Sequence, residues 1–330
     1  MKTLTISIAA YNVEEYLGDT LESFCIPEIM DDIEVIVVDD GSKDNTHQIA
    51  EKYQEKYPNT FRYIQKENGG HGSTVNKGIE LASGKYFKVV DGDDWVQKTD
   101  FIQLVEYLRT AEADLVLSDF SRVFTDGTKK KEIYFSEFEV GKVYPVLDMP
   151  EVESIAMHSI AVKSQLLKNN KVRLSEKCFY VDIEYVVYIL NHAESVVYIP
   201  YDVYMYRYGT PNQSVNVKNM IKNIGMRIKV SSSLAEYITT YKKSAVFNPK
   251  RYELMKKKVV RMISGTYLVY LAYDDTKIAK NELKAYEETI KSISKELFDE
   301  SGNEKKVRIM RFMNHILFPI ENKMYHLLKM

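Results

Sequence analysis

The sequence predicts an α/β fold, with an open, mostly parallel sheet flanked by helices at residues 1–215 and a mainly helical region at 216–330. Three observations predict it. Strand-like and helix-like segments alternate in the first part. Residues 33–38 form a nearly continuous β-branched run, which is typical of a strand buried on both faces of a parallel sheet. Acidic clusters follow two strand-like segments, at the carboxyl ends where open α/β sheets bind ligands.

Five strands are predicted in the first part. The first alternates and stops at a turn pair, the second is the β-branched run, and the others are short apolar runs bounded by polar or glycine residues. They cover residues 3–10, 33–38, 61–65, 85–90 and 113–120.

Helices are predicted between these strands, from helical spacing of apolar residues and from capping residues. In the first, Tyr16, Leu17, Leu21 and Phe24 share one face. The first-part helices cover residues 14–24, 46–57, a stretch from the loop 69–73 to 81, and 100–111. Those of the second part cover 220–241, 249–273, 277–297 and 305–328.

The composition limits the class of protein. A chain of 330 residues suits two domains of ~150 residues. Apolar residues make up 45% and charged residues 28%, an ordinary globular balance. Two cysteines, Cys25 and Cys178, exclude a disulfide framework and a cysteine-rich zinc module. We expect a cytoplasmic protein, because the amino terminus lacks a signal peptide and the longest uncharged apolar run has 12 residues, fewer than the ~18 of a membrane span.

Charge is distributed unevenly along the chain. Residues 1–215 hold 22 basic and 35 acidic side chains, whereas residues 216–330 hold 23 and 12. The acidic part argues against nucleic acid as a partner. The basic part suits a membrane surface or an anionic acceptor, or attraction between the two parts.

An acidic turn follows the strand predicted at 85–90. Asp91, Asp93 and Asp94 lie within four residues, and such carboxylates are tolerated together where a cation offsets their charge. Oxygen ligands suit Mn²⁺ or Mg²⁺ bridging to a diphosphate. The alternative is an acidic turn that caps the next helix.

The first strand ends without a glycine-rich phosphate loop. Neither a dinucleotide fingerprint nor a Walker loop is present, which argues against those enzyme classes. Asp39 or Asp40 is suited to accept a hydrogen bond from a nucleobase, and Tyr11 to stack on its ring. Each acid is alternatively an ordinary turn residue.

Together these segments resemble the family 2 glycosyltransferases of the GT-A fold, in the branch that builds bacterial capsules and cell-wall polysaccharides. The segments are 6–12 (ISIAAYN), 37–42 (VVDDGS), 67–70 (ENGG) and 91–95 (DGDDW). The resemblance spans about residues 1–215. It implies transfer of a sugar, with inversion, from a nucleotide-diphosphate donor, here taken as UDP-linked. It also implies donor-binding roles for Ala10, Tyr11, Asn12, Asp39 or Asp40, Gly70, Asn76, Asp91 (the ribose) and Gly92, the metal at Asp93, and loop or donor-sugar support from Asp94 and Trp95.

One position departs from the family pattern. The family commonly reads Ala-Arg-Asn-x-Gly after the glycine loop, and Val75 stands at the arginine position. The missing contact is lost or supplied by Lys77, His71 or Ser73. His71 is alternatively an ordinary polar loop residue.

Inverting transfer needs a carboxylate base that is not a metal ligand. By alignment with the family's base, the resemblance implies that Asp182 takes this role, at the start of an apolar helix; Glu184 is the second candidate. The alternative is that Asp182 caps the helix.

Further residues are predicted near the donor or acceptor. Tyr206 and Arg207 resemble a family stretch that closes over both substrates, and Arg207 is suited to neutralise a diphosphate. A salt bridge within the acidic part is the alternative for Arg207. His158 is expected beside the acceptor cleft rather than on the metal.

The tail at 305–318 is basic and amphipathic. It fits a helix lying on the inner face of the cell membrane, near a lipid-linked acceptor, and equally packing on preceding helices or a homodimer contact. Glycans and wall polymers are the other acceptors considered. The rival functions are a non-catalytic glycan- or nucleotide-binding subunit and, less favoured, a sugar-phosphate nucleotidyltransferase, which would need a basic glycine-rich loop after the first strand.

Overall fold

The alternating and β-branched segments of the first part form parallel strands. Strands β1 (Leu4–Ala10), β2 (Ile33–Asp39), β3 (Phe61–Gln65) and β4 (Tyr86–Asp91) lie in the order β3-β2-β1-β4 and are all parallel. Ala10 is in register with Asp39, and Ala9 with Asp91. The carboxyl ends of β1, β2 and β4 therefore meet at one edge of the sheet, as the sequence predicts.

The other half of the sheet is mixed. β9 lies between β4 and β6 and is antiparallel to both, while β10 runs parallel to β6. β5 and β8 pair antiparallel with β10, and β7 with β6. Within the described residues all ten strands form one open sheet. The additional strands are β5 (Trp95–Val96), β6 (Leu115–Phe124), β7 (Lys129–Glu132), β8 (Val143–Pro145), β9 (Ile160–Lys163) and β10 (Ser195–Tyr208).

Helices flank this sheet. α3 packs against β1 and β2, α2 against β3, and α4 against β10. The side chains of β1 and β2 are almost all buried, which explains their apolar composition. The helices are α1 (Leu17–Glu22), α2 (Thr46–Lys56), α3 (His71–Leu81), α4 (Lys98–Thr110), α5 (Ser164–Asn169) and α6 (Val181–His192).

The structure, a computed structural model, describes residues 2–152, 154–210, 213–312 and 315–328. It separates into two units between Thr210 and Pro211, close to the boundary at 215/216 that the sequence suggests.

The second unit is helical. It contains α7 (Val217–Lys222), α8 (Ile224–Lys242), α9 (Pro249–Tyr270), α10 (Thr276–Ile293), α11 (Lys295–Ser301), α12 (Lys305–Arg311) and α13 (Phe318–Leu328). Asn248 and Asp275 cap α9 and α10 by accepting hydrogen bonds from backbone N–H groups. The single helix predicted at 305–328 is wrong, because the backbone turns extended at Phe312. Within the described ranges, none of the helices combines the length and apolar character needed to cross a membrane.

Candidate active site

A pocket lies beyond the carboxyl ends of β1 and β2. It measures about 510 Å³, and half of the Tyr11 side chain is exposed at its wall. Asn12 adopts a left-handed conformation (φ 51°), and its backbone N–H donates to the Ser42 hydroxyl (2.9 Å). The half-exposed ring of Tyr11 offers an aromatic face on which a planar ligand ring can stack. The pocket is lined by Tyr11, Gly41, Lys43, Gln65, Lys66, Glu67 and Asn68.

Asp39 and Asp40 are buried beside this pocket. Asp39 accepts hydrogen bonds from the Ser42 backbone and the Tyr63 hydroxyl, both 2.8 Å. Asp40 accepts from the backbone N–H groups that follow Asn68, at 2.9 and 2.7 Å, and pairs with Lys66 (2.7 Å). Both carboxylates thus hold the loops of the pocket in place, and direct contact of either with a base stays a prediction.

The turn after β4 lies next to the start of α3. The Asp91 carboxylate contacts the His71 ring nitrogen Nε2 at 2.8 Å. The Gly92 N–H donates to the Ala9 carbonyl (2.9 Å), which holds the turn against the end of β1, just before Ala10. The acidic turn is therefore fixed at the same edge as the pocket.

Asp94 is completely buried. It accepts hydrogen bonds from the Tyr204 hydroxyl (2.5 Å) and the Arg207 backbone N–H (2.7 Å). Burial, followed by the charges of Asp93 and Asp91, raises the pKa of Asp94 well above its usual range. Asp94 thus supports the loop by joining it to β10, one of the two roles the resemblance implies.

The Arg207 side chain lies between two aromatic rings. Its guanidinium carbon is 4.6 Å from the ring centre of Tyr16 and 4.8 Å from that of Trp95. Its Nε donates to the Asp93 carbonyl (2.8 Å). The positively charged guanidinium of Arg207 is thereby held beside the acidic turn, and it stacks on Trp95.

The residues of the acidic turn fit a divalent cation. Burial, and then the charge of Asp91, raises the pKa of Asp93 to about 6, so a positive ion would relieve the repulsion between the two. Asp91, Asp94 and His158 offer ligand atoms within 4.8 Å of one another. Carboxylate oxygens suit Mg²⁺ and Mn²⁺.

His158 lies closer to the acidic turn than the sequence indicates. Its ring stacks on Tyr206 (4.8 Å between centres), and its Nε2 lies 4.0 Å from Asp91. Burial lowers the pKa of His158 to about 4, so its ring is neutral and able to donate a lone pair. A lone histidine more than sixty residues from the acidic turn gives no motif by which to find this.

Asp182 is exposed on the first turn of α6. The helix is capped by Tyr180 in a left-handed conformation, so Asp182 is not the capping residue. Burial by itself lowers the pKa of His71, but Asp91, Asp182 and Asp93 together raise it. The charges of Asp182 and of the acidic turn therefore both act on His71.

Glu184 is buried, and both of its carboxylate oxygens are engaged. They accept hydrogen bonds from the backbone N–H and the hydroxyl of Ser175, each 2.7 Å. This geometry speaks against Glu184 as the base and corrects its place as second candidate.

Three residues of α3 that the sequence analysis discussed have their surroundings defined by the structure. Val75 is buried, so its position packs in the core. Lys77 pairs with Glu80 (2.7 Å) along the helix surface. The Asn76 side-chain amide exchanges hydrogen bonds with the Leu174 backbone (2.8 and 2.9 Å), and its contact with the donor stays a prediction. Of the substitutes considered for the missing arginine, only His71 contacts the acidic turn; Ser73 hydrogen-bonds Asp40.

Lys88 is a buried lysine that the sequence analysis did not identify. Its ammonium donates to the backbone carbonyls of His158 (2.6 Å) and Ile160 (3.4 Å). Burial lowers the pKa of Lys88 to about 7. The available signal was a lysine inside the otherwise apolar strand predicted at 85–90.

Comparison with known sequences places part of this chain in a known family. Residues 5–164 match the family model described as glycosyl transferase family 2. The chain is 42% identical to EpsH of Bacillus subtilis over 133 residues, which cover 39% of this chain and 37% of EpsH. It is 29% identical to the minor teichoic acid biosynthesis protein GgaB of the same organism over 175 residues, 53% of this chain and 19% of GgaB. The chain thus spans well under half of each relative.

Comparison with solved structures supports the fold. Residues 1–349 of S. aureus TarS superpose with a TM-score of 0.70 at 17% identity, covering 99% of this chain and 91% of that one. The same TarS fragment in complex with UDP-GlcNAc gives a TM-score of 0.57 at 18% identity, covering 92% of both chains. At such identity, the likeness concerns the GT-A-type fold alone.

Proposed function

Because the chain carries a domain of glycosyl transferase family 2, we propose that it is an inverting, divalent-metal-dependent hexosyl- or N-acetylhexosaminyltransferase. The donor is a nucleotide-diphosphate sugar, taken to be UDP-linked. The acceptor is a glycan, a lipid-linked oligosaccharide or a wall polymer. The observation that carries the proposal is the acidic turn at Asp91 and Asp93, which contacts His71 through Asp91; the charge of Asp182 acts on the same histidine.

The donor occupies the edge formed by β1, β2 and β4. Tyr11 stacks on the base, in the pocket beside Asp39 and Asp40. The Arg207 guanidinium, held between its two rings, neutralises the diphosphate. The complex of TarS with UDP-GlcNAc supports a UDP-linked donor as the first class to test.

We assign the Mn²⁺ or Mg²⁺ ion to Asp93 from the family resemblance; the ligand atoms that the described residues bring within 4.8 Å of one another are those of the neighbouring Asp91, Asp94 and His158, and Asp93 is not among them. When bound, the ion offsets the negative charge of the departing diphosphate. The raised pKa of Asp93 means that the site is prepared for a cation only when this carboxyl has lost its proton.

Asp182 acts as the general base. The acceptor oxygen forms a bond to the anomeric carbon while the bond from that carbon to the diphosphate oxygen breaks. The acceptor's hydroxyl proton passes to Asp182. Asp182 is exposed on the first turn of α6, where the partial positive charge of the helix amino terminus favours a negative side chain, which suits this role.

The relatives support a polymer acceptor. GgaB, which is 29% identical over 175 residues, is named for teichoic acid biosynthesis. A charged wall or capsule polymer is therefore the acceptor class to test after the donor is known.

A panel of nucleotide sugars tests the proposal. Thermal shift is measured with each donor, with and without Mn²⁺, and release of the nucleoside diphosphate is measured in parallel. We expect one UDP-sugar to raise the melting temperature only with Mn²⁺ and to be hydrolysed. The variant Asp93→Ala should lose the metal-dependent shift. Binding without any release by the wild-type protein would instead indicate a non-catalytic subunit.

We also propose that the outer face of α12 and α13 contacts anionic lipid, where a lipid-linked acceptor would be reached. Five apolar side chains there are 38–58% exposed, and basic residues accompany them. Apolar and cationic groups together match a membrane surface. The apolar side chains are Ile309, Phe312, Ile316, Ile320 and Met324.

Substitution tests this contact better than deletion, since Val307 and Met310 of α12 are buried. The double variant Phe312→Ser, Ile320→Ser should pellet less with vesicles rich in phosphatidylglycerol, and high salt should weaken pelleting of the wild type. Unchanged pelleting would remove the membrane contact. Loss of a dimer in the variant, measured by light scattering, would assign the face to a second copy.

A further inference from the structure

The segment that leads to Asp182 packs backbone to backbone on the loop before α3. We call residues 69–72 the glycine loop and residues 174–178 the leading segment. A side-chain carbon on Gly72 would overlap the Ser175 carbonyl oxygen. One on Gly70 would lie 3.1 Å from the backbone of Lys177. With no side chain between them, the two stretches of backbone cannot move independently.

Two side chains fix the leading segment from opposite sides. Asn76 of α3 accepts from the Leu174 N–H (2.8 Å) and donates to the Leu174 carbonyl (2.9 Å). Glu184 of α6 accepts from the N–H and the hydroxyl of Ser175, both 2.7 Å. Glu184 is completely buried, so these hydrogen bonds are not exchanged for water. Both α3 and the first turn of α6 are therefore tied to residues 174 and 175.

This arrangement determines where Asp182 projects. Asp182 and Glu184 are two residues apart in the first turn of α6. Because a helix is rigid over one turn, anchoring Glu184 on Ser175 fixes the direction of Asp182. The Gly69 carbonyl also accepts a hydrogen bond from the Lys177 N–H (2.5 Å), so the glycine loop and the leading segment are joined directly as well.

We propose that Asn76 and Glu184 are positioning residues that join the glycine loop, the leading segment and the first turn of α6 into one body. Ligand binding at the glycine loop and the placement of Asp182 are then linked. Only the assignment of Asp182 as the base rests on the proposed function; the linkage itself does not.

Kinetics of UDP release from the donor found in the panel test the positioning. Glu184→Gln removes one acceptor from Ser175, and we expect kcat to fall about 10- to 100-fold, with KM for the donor unchanged, as for a misplaced catalytic group. Glu34→Gln is the matched control, since Glu34 accepts from the Ser83 and Gly84 backbone at the other edge of the sheet. Its kcat should stay within twofold of the wild type.

A double variant separates positioning from general loosening. If Glu184 acts through Asp182, then Glu184→Gln should have no further effect in an Asp182→Asn background. Multiplicative effects of the two substitutions, or equal effects of Glu184→Gln and Glu34→Gln, would overturn the positioning role.

Hydrogen exchange tests the linkage without any substrate. Asn76→Ala and Glu184→Gln should each speed exchange of the amides of the glycine loop and of residues 180–184, although the hydrogen bonds of Glu184 described above are to Ser175 rather than to the loop. Faster exchange confined to the neighbours of each substituted residue would contradict the linkage. A wild-type protein that releases no UDP from any donor would contradict the proposed function instead, and the exchange result would still decide the linkage.

Discussion

At the scale of residues, the candidate site depends on charges placed where water is partly excluded. The Asp91 carboxylate contacts the His71 ring, whereas burial, and then the like charge of Asp91, raises the pKa of Asp93 to about 6. Arg207 supplies a cation whose position is set by Tyr16 and Trp95. We therefore expect the activity of the site to depend on where each charge lies as well as on its sign.

Arg207 allows this to be tested. Arg207→Lys keeps the charge but loses the planar group that stacks between two rings, so we expect kcat/KM for the donor to fall about 10-fold, and about 100-fold or more for Arg207→Met. Steady-state UDP release provides the measurement. Arg109→Lys is the control, because Arg109 pairs with Asp32 (2.8 Å) before β2, at the other edge of the sheet. Equal activity of Arg207→Lys and wild type would show that stacking is irrelevant.

At the scale of elements, α3 and the leading segment approach each other so closely that Gly72 has no room for a side chain. Gly72→Ala should lower the free energy of unfolding by about 1–3 kcal/mol, the usual effect of overpacking. Gly18 of α1 is the control, since nothing lies within 4 Å of an added carbon there. Gly18→Ala should be neutral or stabilise by about 0.5–1 kcal/mol.

Denaturant unfolding of the two glycine variants gives the comparison. Equal stability of Gly72→Ala and Gly18→Ala would mean that the leading segment moves away without cost, and it would weaken the argument that the two stretches of backbone form one body.

The helical unit contains a buried ionic cluster that joins α12 to α9 and α10. Glu287 accepts from the Tyr267 hydroxyl (2.9 Å) and from Arg311 Nε (3.1 Å), and contacts His315 Nε2 (2.8 Å). Burial raises the pKa of Glu287, but these partners outweigh it, so the folded pKa lies below the ordinary glutamate value of 4.5.

Glu287→Gln should therefore lower the stability of the helical unit by about 3 kcal/mol near pH 7, because charged partners remain buried. A lowered pKa stabilises above the unfolded value, so the difference from wild type should persist above about pH 4.5 and shrink as pH falls through the folded pKa. Urea unfolding across pH 3–8 measures it. A difference that grows at acidic pH would contradict the assigned shift.

At the scale of the whole molecule, local signals decide what the sequence can predict. The parallel strands β1 to β4 and helices α2 to α4 follow from period and turn residues, which act over a few neighbours. Strands β9 and β10 cannot be predicted in this way, because they pair with β4 and β6 through contacts between residues that are far apart in the sequence.

The residues of the candidate site fall into the same two groups: those that the sequence indicates and those that only the fold brings together. Asp91 and Asp93 are indicated by the acidic turn after a strand and Asp182 by the family resemblance, whereas the stacking of His158 on Tyr206 depends on the fold alone. The burial of Glu184 was equally hidden, since a helical glutamate two residues from a candidate base resembles a second candidate until its partner Ser175 is seen.

The most direct measurement of the central claim is the rate of UDP release by Asp182→Asn relative to wild type, with saturating donor and Mn²⁺. If Asp182 is the base and the acidic turn is a separate binding site, the rate should fall by about 10²- to 10⁴-fold while metal-dependent UDP binding is kept. A variant that releases UDP within threefold of the wild-type rate would contradict the account.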